Sequence, residues 1–278
     1  MKTEQSAEHD VAALNQQVRA IWNQNAGFWD EKMADEGNDF QKLLIGPAAE
    51  RLLNLQAGEL VLEVGCGNGV FARRMAALGA QVIATDFSEA MIERAQARTV
   101  DHADRLEYRV VDATSEEQLL SLGRQRFDAI VCLMLIMDMA AIEPLMRAVG
   151  QLLKPQGRFV FSIMHPCFNS NGALMMAEEH VEDGNYIVDY AIKVKEYLDV
   201  PVQTGIGIAG QPTPHYYFHR PLHVLLGTCF NGGLVMDGIE EPAFHHQNDG
   251  SKPSTRALGW VNYQQIPPVL LARMRLLS

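Results

Sequence analysis

The amino-acid sequence predicts an α/β protein whose parallel sheet is covered by helices on both faces. Short apolar runs alternate with segments of helical periodicity over residues 58–166. One of these runs, Phe127–Leu133, is too apolar for a strand with a solvent-facing side. Such alternation requires right-handed crossover connections, which place helices on both sides of a parallel sheet. The 278 residues are enough for one large domain of this kind.

The chain before residue 58 is predicted to be helical. Apolar residues recur at helical spacing from Val11 to Ile21, and a second apolar set follows Phe40 and ends at Leu55. The alternating region comes next. Its strands are expected at Leu60–Val64, Gln81–Ala84, Leu106–Val111, Phe127–Leu133 and Arg158–Met164, and its helices at Val70–Leu78, from the N-cap Ser88 through Arg98, and at Ile142–Leu153.

Two features interrupt or follow this alternation. Pro155-Gln156-Gly157 predicts a turn before the fifth strand. Residues 167–220 are rich in Gly, Pro, Tyr and His, and they contain one expected strand around Ile192–Leu198. Their aromatic content favours an ordered cap over a disordered loop. A helix near Leu222–Phe230, a strand at Leu234–Ile239, a loop with Asn248-Asp249-Gly250 and a last strand at Val269–Leu276 complete the chain.

Composition and charge exclude several functional classes. The formal net charge is -11 and no Lys/Arg run forms a basic patch, so we expect neither nucleic acid nor an anionic membrane as a partner. The longest apolar run, Ala129–Met137, is far shorter than the ~20 residues that span a bilayer. The four cysteines form no CxxC pair. We therefore expect a cytoplasmic protein with reduced thiols, either a monomer or a homodimer.

A glycine-rich loop and the acidic residues near it indicate a ligand-binding site. Gly65-x-Gly67-x-Gly69 lies between a predicted strand and a predicted helix, where the backbone can approach a ligand closely. Glu63 precedes it, and Asp86 ends the next strand, where a carboxylate can accept both ribose hydroxyls of a nucleoside. A nicotinamide enzyme would carry G-x-G-x-x-G facing a pyrophosphate, and here the third glycine comes one residue too early.

Four segments resemble the signatures of class I S-adenosylmethionine-dependent methyltransferases. They are Val61-Leu62-Glu63-Val64-Gly65-Cys66-Gly67-Asn68-Gly69, Ala84-Thr85-Asp86-Phe87-Ser88, Val111-Asp112-Ala113 and Leu152-Leu153-Lys154-Pro155-Gln156-Gly157. The resemblance is strong over about residues 40–165 and looser over 234–276. It implies a Rossmann-like seven-stranded sheet with an antiparallel last strand, and S-adenosyl-L-methionine as cofactor with S-adenosyl-L-homocysteine as product.

The resemblance also implies which residues bind the cofactor. The three glycines would line the methionine and ribose, Asp86 would hold the ribose, and Asp112 with its neighbour would meet the adenine edge. The expected cofactor-binding set is Trp29, Glu63, Gly65, Gly67, Asn68, Gly69, Asp86, Phe87, Met91, Asp112, Ala113, Cys132, Leu133 and Met134. The chain would then consist of a helical lid (1–57), a cofactor-binding core (58–166), a substrate cap (167–220) and a C-terminal helix and hairpin (221–278).

The methyl acceptor should lie next to the cofactor, above the carboxyl ends of the strands. A histidine that follows the fifth strand and precedes a proline is placed to act as a general base, although it can equally hydrogen-bond the loop. The aromatic residues of the lid can line the acceptor or pack as ordinary helix residues. The candidate catalytic residues are His165, His219 and Tyr217, and the candidate substrate-binding residues are Trp22, Phe28, Phe168, Tyr216 and His215.

The histidines of the cap also raise the question of a metal. His215, His219 and His223 are four residues apart, but Pro214 and Pro221 argue against the helix that would make them a metal-binding face. We therefore expect no metal site, and we interpret His245-His246 as surface loop.

Together these features predict methyl transfer to O, N or C of a small-molecule metabolite. Methionines near the expected pocket indicate an apolar or aromatic acceptor. Three alternatives stay open at this point: a protein or nucleic-acid methyltransferase, an NAD(P)-dependent oxidoreductase, and a non-catalytic nucleoside-binding module.

Overall fold

A seven-stranded sheet forms the centre of the structure, a computed structural model that describes residues 2–245 and 258–276. Its strands are β1 (Leu60–Val64), β2 (Gln81–Asp86), β3 (Leu106–Val110), β4 (Phe127–Leu133), β5 (Leu153–Met164), β10 (Leu234–Glu240) and β11 (Val269–Leu276). They lie in the order β10-β11-β5-β4-β1-β2-β3, and β11 runs antiparallel to both of its neighbours. This sheet confirms the predicted Rossmann-like fold with an antiparallel last strand.

Seven helices surround the sheet in the part of the chain that the structure describes. They are α1 (Lys2–Met33), α2 (Gly46–Leu53), α3 (Val70–Ala77), α4 (Glu89–Arg98), α5 (Glu116–Leu120), α6 (Glu143–Leu152) and α7 (Leu222–Asn231). A π-helical turn at Phe40–Ile45 leads into α2. Buried side chains of α2, α3 and α4 form one core on one face of the sheet, and those of α5, α6 and α7 form a second core on the other face.

Helix starts follow local side-chain chemistry. Ser88 is the N-cap of α4, where its hydroxyl accepts a hydrogen bond from the Met91 N–H at 3.2 Å. Gly69, at φ +79°, occupies the N-cap of α3 and ends the glycine loop. Both helices therefore begin at the carboxyl edge of the sheet, directly after β2 and β1.

Two predictions about local structure are wrong. Residues of the expected turn Pro155-Gln156-Gly157 belong to β5, which already begins at Leu153. Gln156 adopts φ +66°, and the pairing of β4 with β5 shifts register there, so this strand is locally irregular.

The single strand expected around Ile192–Leu198 is the end of a longer hairpin. It consists of β6 (Ala173–Glu182) and β7 (Asn185–Val194), which pair antiparallel. A second, short pair, β8 (Gln203–Gly205) and β9 (His215–Tyr217), follows.

Three further observations concern the remaining expectations. Cys66, Cys132 and Cys229 are buried free thiols, and Cys167 is half-buried. Within residues 2–245 and 258–276, no helix has both the length and the apolar character needed to cross a bilayer. The predicted loop at Asn248-Asp249-Gly250, and His246, lie outside the described residues.

Candidate active site

A cavity of about 510 Å³ opens at the carboxyl ends of β1, β2 and β4. The glycine loop and the ends of these strands form its floor. Its roof is formed by α1 and by the segment from Gly205 to Tyr217. Its volume lies within the ~300–1,000 Å³ typical of small-molecule sites, and its position is the one at which open α/β sheets bind ligands.

The glycine loop is tied to the neighbouring strand and leaves open space above it. The N–H groups of Gly65 and Cys66 donate to the Thr85 carbonyl at 2.8 and 2.9 Å. Gly65 has φ +76°, and a Cβ there would lie 2.8 Å from the Leu135 side chain. Gly67 has φ +53°, and among the described atoms nothing lies within 4 Å of the place a Cβ would take. The loop thus packs tightly at Gly65 and presents bare backbone to the cavity at Gly67.

Asp86 lies on the cavity floor with both carboxylate oxygens fixed by backbone. Oδ2 accepts a hydrogen bond from the Gly67 N–H at 3.0 Å and Oδ1 accepts one from the Ser88 N–H at 2.9 Å. Burial raises the pKa of Asp86 to about 6, although these backbone hydrogen bonds oppose the rise. The carboxyl is therefore largely ionised at neutral pH, and each oxygen keeps lone-pair capacity for a ligand hydroxyl.

Glu63 is a buried carboxyl without a complete set of partners. It is 2% exposed, and its Oε2 has no hydrogen-bond partner in the described part of the chain. Burial, reinforced by the charge of Asp86, raises its pKa to about 8, while Arg73 acts in the opposite direction. Because an unpaired buried carboxyl is costly, this position fits a ligand that brings positive charge or a hydrogen-bond donor.

Helix α1 closes over the floor through polar contacts. Arg19 Nε donates to the Phe87 carbonyl at 2.7 Å, and Asn23 Oδ1 lies 2.6 Å from the Ser88 hydroxyl. Asp30 accepts a hydrogen bond from Asn68 Nδ2 at 3.0 Å, which ties the helix to the glycine loop. The helix is therefore a roof held by specific bonds to the predicted cofactor loops.

Most of the residues expected to bind the cofactor lie in the cavity wall. Those present are Trp29, Glu63, Gly65, Gly67, Asn68, Asp86, Phe87, Met91, Leu133 and Met134. The others, Gly69, Asp112, Ala113 and Cys132, lie outside the wall. A Cβ on Gly69 would meet the Tyr108 hydroxyl at 2.6 Å, so its role there is packing. Asp112 accepts hydrogen bonds from Thr114, and Cys132 is fully buried in the core.

The residues expected to contact the acceptor divide in the same way. Trp22, His215 and Tyr217 line the cavity. Three others are engaged outside its wall: the Tyr216 hydroxyl donates to Gln17 Oε1, Phe168 packs on the His165 ring with centroids 4.5 Å apart, and Phe28 lies beneath the Lys32 ammonium.

Two of the proposed catalytic residues, His165 and His219, are not brought to the cavity. His165 Nδ1 accepts a hydrogen bond from the Cys167 N–H, so its Nε2 carries the proton and donates to Glu241 Oε1 at 2.8 Å. Burial lowers its pKa, which favours this neutral form. His219 donates from Nε2 to the Tyr197 carbonyl at 2.7 Å. Both rings thus hold loops in place; of the three candidates only Tyr217 reaches the cavity wall.

Sequence reasoning missed two polar residues at the cavity. Asp138 lines the wall and is 6% exposed. Gln211 is buried behind the wall, and its amide connects α1 to the cap through hydrogen bonds to Trp29 and His215. The sequence did carry a signal for Asp138, because a carboxyl within the apolar run that follows β4 is costly to bury and so indicates a functional position. No pattern in the sequence marks the second.

The described residues include no group of three or more His, Cys, Asp or Glu side chains that could hold a metal ion. His215 and His219 point to different partners, Gln211 and Tyr197. The polar side chains of the cavity wall include carboxyls, side-chain amides and the His215 imidazole.

Comparison with known proteins places this geometry in context. Residues 61–157 match the family described as a methyltransferase domain. A ubiquinone biosynthesis O-methyltransferase of Xanthomonas axonopodis is 34% identical over 109 residues, which cover 39% of this chain and 44% of that protein. The enzyme of the same name from Alkalilimnicola ehrlichii is 30% identical over 57% of this chain and 60% of that protein. The matches thus span about half the length of these relatives.

Solved structures share the fold over more of the chain. An S-adenosylmethionine-dependent methyltransferase from Mesorhizobium loti has a TM-score of 0.62 at 24% identity, covering 82% of this chain and 96% of that one. A glycopeptide N-methyltransferase complexed with S-adenosylmethionine has a TM-score of 0.53 at 16% identity, covering 83% and 93%. Residues 61–157 are therefore similar to a methyltransferase domain, and the chain shares the Rossmann-like fold of these solved methyltransferases.

Proposed function

We propose that this protein transfers the methyl group of S-adenosylmethionine to a small-molecule acceptor. The observation that carries the proposal is the geometry of Asp86, a carboxylate fixed by the Gly67 and Ser88 N–H groups on the floor of the cavity. A carboxylate held in this way can accept both hydroxyls of a ribose without rearranging.

The remaining floor suits the other parts of this cofactor. The methionine portion would lie over Gly67, where the backbone is open, and its positive groups would meet the unpaired carboxyl of Glu63. Phe87 and Met91 line the cavity beyond Asp86, where they offer apolar surface to adenine. A pyrophosphate, by contrast, would meet two buried carboxyls, which disfavours a nicotinamide dinucleotide.

The bound cofactor supplies an electrophilic methyl group on a sulfonium. The residues of the chain position the acceptor beside this methyl group and exclude water from the site. In this proposal residues 1–57 act as a lid and residues 167–220 as a cap, so that the acceptor is enclosed beside the donor. An in-line displacement depends chiefly on such positioning. A cavity of about 510 Å³ favours a small acceptor, and the relatives named for ubiquinone O-methylation support the same class.

Ligand binding tests the proposal directly. We would measure thermal stabilisation by S-adenosylhomocysteine, S-adenosylmethionine and NAD for the wild type, Asp86→Ala and the control Asp101→Ala, which changes an exposed turn residue. A ligand at 100 times its Kd adds about 2.7 kcal/mol of stability. We expect stabilisation by the two adenosyl ligands alone, lost in Asp86→Ala and kept in Asp101→Ala. Stabilisation by NAD alone, or none by the adenosyl ligands, would refute the proposal.

A further inference from the structure

The roof of the cavity presents a group of aromatic rings. Trp22 lies 5.5 Å from Trp29 and 5.1 Å from His215, measured between ring centroids, and His215 lies 4.5 Å from Tyr217. All four rings line the cavity, and they come from two different elements, α1 and β9. Aromatic faces grouped around one space attract a cation.

A buried acid stands beside this group. Asp138 ends the short helical turn Ile136–Asp138, and its Oδ1 has no hydrogen-bond partner among the residues that the structure describes. His215 Nε2 lies 4.0 Å from this oxygen, beyond hydrogen-bond distance. Burial, with a contribution from the charge of Asp86, holds the pKa of Asp138 well above its usual range. The carboxyl therefore has unused capacity for a ligand that is cationic or carries a hydrogen-bond donor.

The position of Asp138 is fixed by a neighbouring arginine that does not pair with it. The buried Arg220 donates to the carbonyls of Ile136, Met139 and Ala140, at 3.1, 2.7 and 3.1 Å. The Phe218 N–H also donates to the Met137 carbonyl, at 2.7 Å. The turn is thus held on both sides of Asp138 through its backbone, and the guanidinium is used for this purpose rather than for neutralising the acid.

The tautomer of His215 is fixed as well. Gln211 Oε1 accepts hydrogen bonds from Trp29 Nε1 and from the Gly207 N–H, so its Nε2 is the donor to His215 Nδ1, at 2.9 Å. His215 then carries its proton on Nε2, on the side of Asp138. Burial lowers the pKa of His215 to about 4, so the ring is neutral at physiological pH and leaves the acid without a permanent counter-charge.

We propose that Asp138 and the rings of Trp22, Trp29, His215 and Tyr217 form the subsite for an amino group, and that the methyl acceptor is a small amine. This inference rests on the proposed function and names its substrate class. The carboxyl and the incoming nitrogen hold one proton between them: either an ammonium meets the carboxylate, or a neutral amine meets the protonated acid. A hydroxyl acceptor would use the carboxyl but would gain little from the aromatic faces, which favour a cation over a neutral group.

The reaction balances with this one acid. If Asp138 is ionised, an ammonium that enters gives it a proton and becomes a neutral amine; if Asp138 is already protonated, the amine enters neutral. The nitrogen lone pair then forms the N–C bond to the methyl group, while the C–S bond breaks and its electron pair stays on sulfur. The products are a methylated ammonium and S-adenosylhomocysteine, and a proton that Asp138 has taken from the substrate returns to solvent when the site opens.

Matched pairs of amines and alcohols test the subsite. We would titrate the wild-type protein, saturated with S-adenosylhomocysteine, with benzylamine, phenethylamine and cyclohexylmethylamine and with the corresponding alcohols, by calorimetry. We expect at least one amine to bind 10-fold or more tightly than its alcohol. In Asp138→Asn that preference should fall to within about 2-fold, while the control Asp101→Asn, which removes the same charge from an exposed turn, keeps it.

Further measurements separate the alternatives. Trp22→Leu should lose the amine preference without losing alcohol binding, which keeps the test decisive if Asp138→Asn folds poorly. The inference is overturned if no amine binds more tightly than its alcohol, or if Asp138→Asn retains the preference. It is also overturned if Asp138→Asn weakens S-adenosylhomocysteine in parallel, since the acid would then serve the cofactor. Failure of the wild type to bind S-adenosylhomocysteine at all would refute the proposed function itself.

Discussion

Replacing Glu63 by glutamine should stabilise the ligand-free protein at alkaline pH. The pKa of this carboxyl stands at about 8 in the folded chain against an ordinary 4.5. Each tenfold difference in the acid dissociation constant between the folded and unfolded chain corresponds to about 1.4 kcal/mol. Ionisation of Glu63 therefore destabilises the folded state by up to about 5 kcal/mol. The folded state binds the proton more tightly, so the stability of the wild type falls as pH rises from about 4.5 to about 8. Glutamine has the same shape and no proton to lose.

Unfolding of the ligand-free wild type and Glu63→Gln should therefore be followed by heat and by urea between pH 5 and pH 9. At pH 5 the two proteins should unfold at similar temperatures. At pH 9 the variant should be the more stable, by up to roughly 10 °C if 1 kcal/mol corresponds to about 2 °C. Asp86 and the other carboxyls titrate in both proteins. Their contributions to the pH dependence of stability therefore largely cancel when the two curves are subtracted.

The exposed Glu93→Gln on α4 is a matched control and should follow the wild type at every pH. Parallel curves for the wild type and Glu63→Gln across the whole range would refute the reasoning, since they would show that Glu63 is not strained by burial. With S-adenosylhomocysteine added, the variant should gain less stability than the wild type, because it has lost the carboxyl that can ionise beside the positive amino group of the ligand.

Two further predictions concern the floor and the roof of the cavity. Gly67→Ala and Gly184→Ala both place a side chain at positive φ (+53° and +80°) where no described atom is within 4 Å, so each should cost about 1 kcal/mol in urea unfolding. Only Gly67→Ala should weaken S-adenosylhomocysteine, by 10-fold or more in calorimetry, and an equal effect of both would contradict the assigned floor. Asn25→Ala removes a buried amide that bonds both the N–H and the carbonyl of Thr213, so it should cost about 2 kcal/mol in urea unfolding. Gln24→Ala, which loses one exposed contact to the same residue, should cost under about 1 kcal/mol; equal losses would mean that α1 is not fastened to the cap there.

The sequence predicted the central sheet well because its strands are short apolar runs with clear ends. Leu60–Val64, Phe127–Leu133 and Val269–Leu276 have the same bounds in the structure as in the prediction. Most residues of each strand are buried, so a continuous run of apolar residues was sufficient to predict the strand without any alternation of polar and apolar positions. The glycine loop and Asp86 were found for a related reason, since their spacing reflects backbone geometry at the edge of the sheet.

The cap was harder to predict because the strands of its longer hairpin are largely exposed. In β6 and β7 the apolar residues occur in consecutive runs and do not alternate with polar ones, so the pattern of a half-buried strand is absent. One local signal was available: Asp183-Gly184 has positive φ at both residues, which is the turn that Asp-Gly favours in two-residue hairpins. The grouping of Asp138 with His215 depends on long-range folding and on the hydrogen bonds of Gln211, which no local pattern encodes.

The aromatic lining of the cavity has a practical consequence. The chain contains three tryptophans, Trp22, Trp29 and Trp260, and all three line this one cavity. Trp22 and Trp29 lie in the roof, whereas Trp260 belongs to the short helical turn Trp260–Asn262. The ultraviolet emission of the unlabelled protein is therefore dominated by indoles that a ligand in this cavity would contact. The fluorescence spectrum of the native chain is a built-in reporter of occupancy, and its three single-tryptophan variants would resolve which wall each ligand touches.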